Sequence, residues 1–211
     1  MKHKNLRLVV FAMVLALVGA AMLQGREDGK PKSSEKPAPL SPTHLITKNS
    51  AGPVRLGMTV AQARKALPKQ KFARTADGEG LALIEVKSGQ ILEMILYAGE
   101  DNAESPINEQ AKVQAISVFG EKYMTAEGVH PGMPLREVEK KYGKLTGISM
   151  SEIEMREYAE FSKKPASLLL KVGLPEIGIA GKYAEGKRET KAYFPSAVVT
   201  GIEISENTSE N

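Results

Sequence analysis

The chain has 211 residues, no cysteine and no tryptophan, and its 29 Lys and Arg against 25 Asp and Glu give a net charge of +4. Without cysteine there are no disulfides, thiolate metal sites, cysteine nucleophiles or cysteine-linked lipid anchors. Residues 1–21 hold three of the basic residues and no acid, so the remainder counts 26 against 25. That balance, with few aromatic residues, excludes the clustered basic surface that binds nucleic acid.

The N-terminal segment has the pattern of an export signal. Three basic residues precede residue 8, and residues 8–23 form an uncharged apolar run with small residues near its end. This predicts a signal peptide over residues 1–21, whose cleavage leaves a periplasmic or secreted protein. The alternative is an uncleaved anchor that holds the rest of the chain outside the cytoplasm, which would be its sole contact with the membrane. The Gly-, Pro- and Ser-rich residues 22–42 are predicted to be a flexible linker, and residues 206–211 a polar tail.

One sequence element occurs twice. Residues 54–67 read VRLGMTVAQARKAL and residues 129–142 read VHPGMPLREVEKKY, an offset of 75 residues. Residues 81–97 align with residues 156–172 at the same offset. An alignment kept over this length predicts a duplicated module.

Each copy, residues 43–120 and residues 121–205, is predicted to begin with a turn and a two-turn helix. Thr59 has the position of an N-cap with Gln62 three residues later, and Pro134 occupies the same region in the second copy. The predicted apolar stripes are Val60, Ala63 and Leu67 in the first helix and Leu135, Val138 and Tyr142 in the second. Three strands follow in each copy, at 81–87, 91–97 and 113–119, and at 156–162, 166–172 and 198–204. The predicted fold is α+β: two tandem modules, each a short helix plus an antiparallel β-meander, forming one sheet with helices on one face.

The Gly-Met turn is the basis of a family resemblance. Gly57-Met58 and Gly132-Met133 each open a helix, in a motif similar to the start of the module shared by β-lactamase-inhibitor-like proteins and small outer-membrane assembly lipoproteins of the SmpA/OmlA type. The resemblance implies that these four residues are structural turn and core residues. It also implies a non-catalytic envelope protein that binds other proteins through its sheet face. The chain departs from the lipoproteins in having no lipidated cysteine, and from the inhibitors in having no tryptophan.

Histidine supplies little material for catalysis. His130 is the one histidine well inside the predicted domain, and it aligns with Arg55 in the first copy. Two cationic side chains beside helix starts are candidates to bind an anionic group, although each position also suits an exposed turn residue. No cysteine and one such histidine leave neither a Ser/His/Asp relay nor a histidine-rich metal site. We therefore expect no enzyme activity, no metal and no cofactor.

The densest set of charged residues lies on one predicted strand. One face of this strand carries every second residue from 152 to 160, namely Glu152, Glu154, Arg156, Tyr158 and Glu160. This face is either a binding surface for a partner or the solvated side of an amphipathic strand. We take Arg156, Tyr158, Glu152 and Glu154 as candidate partner-binding residues. The expected function is an inhibitor- or adaptor-like protein-binding domain of the bacterial cell envelope, whose partner is another protein in or outside the envelope. The alternatives are a membrane-tethered assembly factor, a small-ligand carrier or an unrecognised enzyme.

Overall fold

Antiparallel strands dominate the computed structural model, which describes residues 42–151, 156–176 and 178–205. All of them belong to one compact unit, Pro39–Asn211. The predicted signal peptide, nearly all of the linker, Glu152, Glu154 and the polar tail lie outside the described residues. Within the described part of the chain, no helix is both long and apolar enough to cross a membrane.

Most of the strands form one large sheet, and a small second sheet lies beside it. The large sheet contains β4 (Lys71–Ala76), β5 (Ala82–Ser88), β6 (Ile91–Tyr97), β7 (Ala115–Val118), β9 (Leu145–Met150), β10 (Glu157–Phe161), β11 (Leu169–Gly173), β12 (Glu189–Thr190) and β13 (Val198–Ser205). The small sheet contains β1 (Leu45–Thr47), β2 (Ser50–Ala51), β3 (Val54–Arg55) and β8 (Met124–Thr125), and a 3-10 turn (Pro42–His44) precedes it. The helices are α1 (Val60–Ala66) and α2 (Leu135–Tyr142).

The large sheet is antiparallel throughout, in the order β12-β9-β10-β11-β13-β7-β6-β5-β4. Its register places Ile84, Leu96, Ile116 and Ile204 side by side on four adjacent strands. Each of these side chains is at most 1% exposed. Side chains alternate across a strand, so this row marks the buried face and its sequence neighbours lie on the opposite face.

Both helices pack their apolar stripes into the core beneath the buried face. Thr59 accepts a hydrogen bond from the Gln62 backbone while the Gln62 side chain accepts one from the Thr59 backbone, which confirms the capping box. Pro134 is the N-cap of α2, without a side-chain cap. All six residues of the two predicted stripes are buried and belong to the same core cluster as the sheet. The helix predictions are therefore confirmed, and the fold is α+β with a large share of β structure.

The prediction of a single sheet is wrong, because a small second sheet lies beside the large one, and neither it nor β12 was predicted. The strand that directly follows each helix is also absent from the prediction. β4 and β9 were not predicted, because each has weak apolar alternation: one large apolar side chain, Phe72, in β4, and a glycine, Gly147, within β9. β11 begins at Leu169, three residues after the predicted start. The described part of β10 begins at Glu157, after residues that the structure does not describe.

Candidate functional site

Both described helices pack against the buried face of the large sheet and leave the opposite face uncovered by helices. That opposite face carries a shallow groove. Its volume is about 770 Å³, and its lining comes from the six adjacent strands β5, β6, β7, β13, β11 and β10. We call this surface the open groove. It lies at the centre of the sheet, away from both edges.

The β5–β7 part of the open groove is apolar. Its apolar side chains are Leu81, Leu83, Ile95, Tyr97 and Phe119, and all five are partly exposed. They alternate in sequence with core residues and share the face opposite to the helices. Apolar side chains grouped on one solvent-facing side of the sheet make this surface a candidate for binding.

Three polar side chains meet at the centre of the open groove. The Lys171 ammonium lies 2.6 Å from a Glu203 carboxylate oxygen and donates to the Ser117 hydroxyl at 3.0 Å. Ser117 in turn donates to Glu203 at 2.8 Å. Lys171 is only 8% exposed, so these partners, rather than water, stabilise its positive charge. The cluster gives the groove a fixed polar centre with both a cation and a carboxylate.

Arg156 and Tyr158, two of the predicted binding residues, line the open groove at its β10 end. Tyr158 is the cross-strand neighbour of Lys171, which places it against the central cluster. Arg156 is exposed and Tyr158 is partly exposed. The other two predicted binding residues of this strand, Glu152 and Glu154, are outside the described residues.

Arg55 and His130 lie elsewhere and do not line the open groove. Arg55 is an exposed residue of the small sheet. His130 is partly buried in the turn before α2, where a ring nitrogen lies 2.7 Å from the Pro131 carbonyl oxygen. The structure therefore does not bring these two residues together with Arg156 and Tyr158.

The two Gly-Met turns have the same backbone geometry. Gly57 has φ +79° and Gly132 has φ +85°, a left-handed conformation that glycine adopts without steric cost. The amide of Gly57 donates to the Val113 carbonyl at 2.8 Å, and that of Gly132 to the Val199 carbonyl at 2.7 Å. Each turn is thereby fixed at the last strand of its half of the sheet, since Val113 lies just before β7 and Val199 lies within β13.

The methionines that follow complete each turn. The Val113 amide donates to the Met58 carbonyl at 2.9 Å, and the Val199 amide to the Met133 carbonyl at 2.9 Å. Both methionine side chains are partly buried and pack against the hydrophobic core. All four Gly and Met residues thus lie in turns that position the helices.

Glu157 is a buried carboxylate that the sequence analysis did not single out. It is 3% exposed and accepts hydrogen bonds from the amides of Ala180 and Gly181 and from the Tyr183 hydroxyl at 2.7 Å. Burial and this carboxylate raise the pKa of Tyr183. The available signal was a glutamate among the apolar positions of an amphipathic strand. Its role here is to fasten the long β11–β13 connection beside the open groove.

The central cluster was also missed, and its signal was similar. Lys171 interrupts an apolar strand, and Ser117 and Glu203 are polar residues within strands of mainly apolar sequence. Their meeting depends on the pairing of β7, β13 and β11, which spacing along the chain does not reveal. In the described ranges, no group of three or more His, Asp or Glu side chains is arranged to hold a metal ion.

Comparison with solved structures identifies a similar fold. The crystal structure of the uncharacterized protein yfeY from Escherichia coli matches with a TM-score of 0.52 and 14% sequence identity, over 77% of this chain and 99% of that chain. This likeness concerns the fold alone. No protein-family model and no curated protein sequence matches the chain.

Proposed function

We propose that this protein is an exported, non-catalytic protein-binding domain of the bacterial cell envelope, and that the open groove is its binding surface. The observation that carries the proposal is the partly exposed apolar side chains on β5, β6 and β7, next to a polar cluster that is already hydrogen-bonded. Interfaces commonly combine such an apolar area with a few fixed charges. Tyr97 and Tyr158 are aromatic side chains of the type that dominates binding energy.

We further propose that the domain arose by duplication, with modules at residues 43–120 and 121–205. The strand order supports this. From one edge of the sheet to its centre the order is β4, β5, β6 and β7. From the other side it is β9, β10, β11 and β13, with the short strand β12 added at the edge. The equivalent hydrogen bonds of the two Gly-Met turns also support it. On this interpretation β7 and β13 form the seam, and Ser117 faces Glu203 across it. The open groove would then be shared by both modules.

The width of the open groove favours a macromolecular partner. Six strands about 4.8 Å apart extend over about 24 Å, and the surface is open to solvent along its apolar part. A small-ligand site usually encloses most of its ligand. A carrier of a small ligand is the second candidate, because a groove of about 770 Å³ with a polar centre has the volume of such a site.

Position-specific photo-crosslinking in the cell that makes the protein tests the proposal. A photoreactive phenylalanine analogue replaces Tyr97 in the full-length chain, and a matched control replaces Ile91, a 65% exposed residue of the same strand outside the open groove. We expect one discrete protein adduct from position 97, recovered in the envelope fraction, and none from position 91.

Two further substitutions link that adduct to the open groove. Combined with the probe at position 97, Arg156→Glu or Tyr158→Ala is expected to reduce the adduct yield while leaving the folded protein intact by circular dichroism. An adduct of equal yield from positions 91 and 97, or no adduct from position 97, would count against protein binding at this surface.

A further inference from the structure

We infer that the segment seated in the open groove is a basic amphipathic α-helix of the partner. The inference rests on the proposed function and specifies its partner. It follows from three properties of the groove: its distance from the sheet edges, its length and its charge.

A central sheet face accepts side chains in preference to backbone. Peptides that bind as added strands need the unpaired N–H and C=O groups of a sheet edge, and the open groove lies on strands that are paired on both sides. An extended peptide there would lose hydration of its backbone without gaining regular partners. A helix satisfies its own backbone hydrogen bonds and presents only side chains. The opposite face of this sheet already receives two helices in that manner, α1 and α2.

The length of the open groove suits a helix of about four turns. The six strands that line it extend over about 24 Å, which corresponds to about 16 helical residues. The helix α1 packs with Val60, Ala63 and Leu67, an i, i+3, i+7 stripe. A partner helix with the same spacing would place its apolar stripe over Leu83, Ile95 and Tyr97.

The net charge of the groove lining favours a basic partner helix. The lining contains four carboxylates, Asp77, Glu157, Glu176 and Glu203, and two cations, Arg156 and Lys171, a net charge of −2. Glu203 is paired with Lys171, and Glu157 is occupied by backbone amides. Asp77, in the turn before β5, accepts the amides of Glu79 and Leu81 with one carboxylate oxygen. Glu176 follows β11 on the other half of the sheet and is exposed. Cationic side chains beside the apolar stripe of a partner helix would complement these carboxylates and can stack on Tyr97 or Phe119.

Three synthetic peptides of about 16 residues distinguish the effect of the spacing of apolar residues from the effect of the peptide's charge. The first carries leucine at helical spacing with lysine elsewhere, the second alternates leucine and lysine at strand spacing, and the third replaces lysine by glutamate in the helical pattern. Binding to the full-length chain is measured by fluorescence anisotropy, and helix formation by circular dichroism. We expect the first peptide to become helical and to bind at least about tenfold more tightly than either of the others.

Groove variants identify where the helical peptide binds. Tyr97→Ala is expected to weaken its binding about tenfold, whereas Ile91→Ala on the same strand leaves it unchanged. Equal or tighter binding of the strand-period peptide, or of the acidic helix, overturns the inference. So does binding that Tyr97→Ala does not affect. If one of these results accompanies a cellular adduct at position 97, the proposed function stands and only the helical, basic identity of the partner fails.

Discussion

At the scale of single residues, Glu157 holds the β11–β13 connection in place beside the open groove. Its carboxylate accepts hydrogen bonds from two backbone amides and one hydroxyl, and it is nearly inaccessible to solvent. Glu157→Gln removes the charge and one acceptor oxygen, so buried N–H groups lose partners. We expect a loss of about 1–3 kcal/mol in the free energy of unfolding, measured with urea, and faster amide exchange at Ala180 and Gly181. Glu189→Gln, at an exposed position of β12, should change stability by less than about 0.5 kcal/mol. Equal effects of the two substitutions would contradict this role.

Two tyrosines, Tyr123 (buried) and Tyr193 (partly buried), predict a pH dependence at the same scale. Burial, and then Glu93, raises the pKa of Tyr123 to about 12; burial, and then Glu139, raises that of Tyr193 to about 12. In the unfolded chain both phenols titrate near the ordinary value of 10.0. Their contribution to stability is therefore complete below pH 10.0 and is lost as the pH rises toward about 12. Urea midpoints should fall over that interval, and Tyr123→Phe should reduce the fall. Parallel pH profiles for Tyr123→Phe and the unmodified protein would refute the assignment to Tyr123.

At the scale of elements, the sequence was most informative where one local signal fixes one structure. The 3.6-residue apolar period predicted both helices, and the Thr59 cap also marked the start of α1, because capping and burial act within a few residues. The strand pattern of β5 was equally clear, with Ala82, Ile84 and Val86 alternating with partly exposed residues. β4 and β9 were missed because their strand structure depends more on pairing with β5 and β10 than on the residue pattern of their own sequence.

The candidate site was predictable only in part, for the same reason. Arg156 and Tyr158 were selected from their strand alternation and do line the open groove. Lys171 and Glu203 could not be selected together, because they are brought within 2.6 Å by strands that are distant in sequence. The apolar part of the groove was also missed, since Leu83 and Ile95 resemble core residues until the sheet shows which face the helices cover.

At the scale of the whole molecule, the pairing of β7 with β13 makes the nine strands one continuous sheet. Four side chains on these two strands, Ile116, Val118, Ile202 and Ile204, are fully buried, and they belong to the same core as both helices. A shared core across the centre couples the two halves, so we expect a single cooperative unfolding transition. Circular dichroism of the strands and tyrosine fluorescence should report the same urea midpoint.

Ile204→Ala tests this coupling directly. Removal of a fully buried isoleucine side chain should cost about 2–5 kcal/mol, and the two probes should shift together because the cavity lies at the seam. Ile91→Ala, at a 65% exposed position, should leave the midpoint nearly unchanged and serves as the control. If Ile204→Ala instead separated the unfolding curve into two transitions, the halves would fold independently. The open groove could then change shape by motion at the seam, and a rigid binding surface that spans β5 to β10 would no longer be tenable.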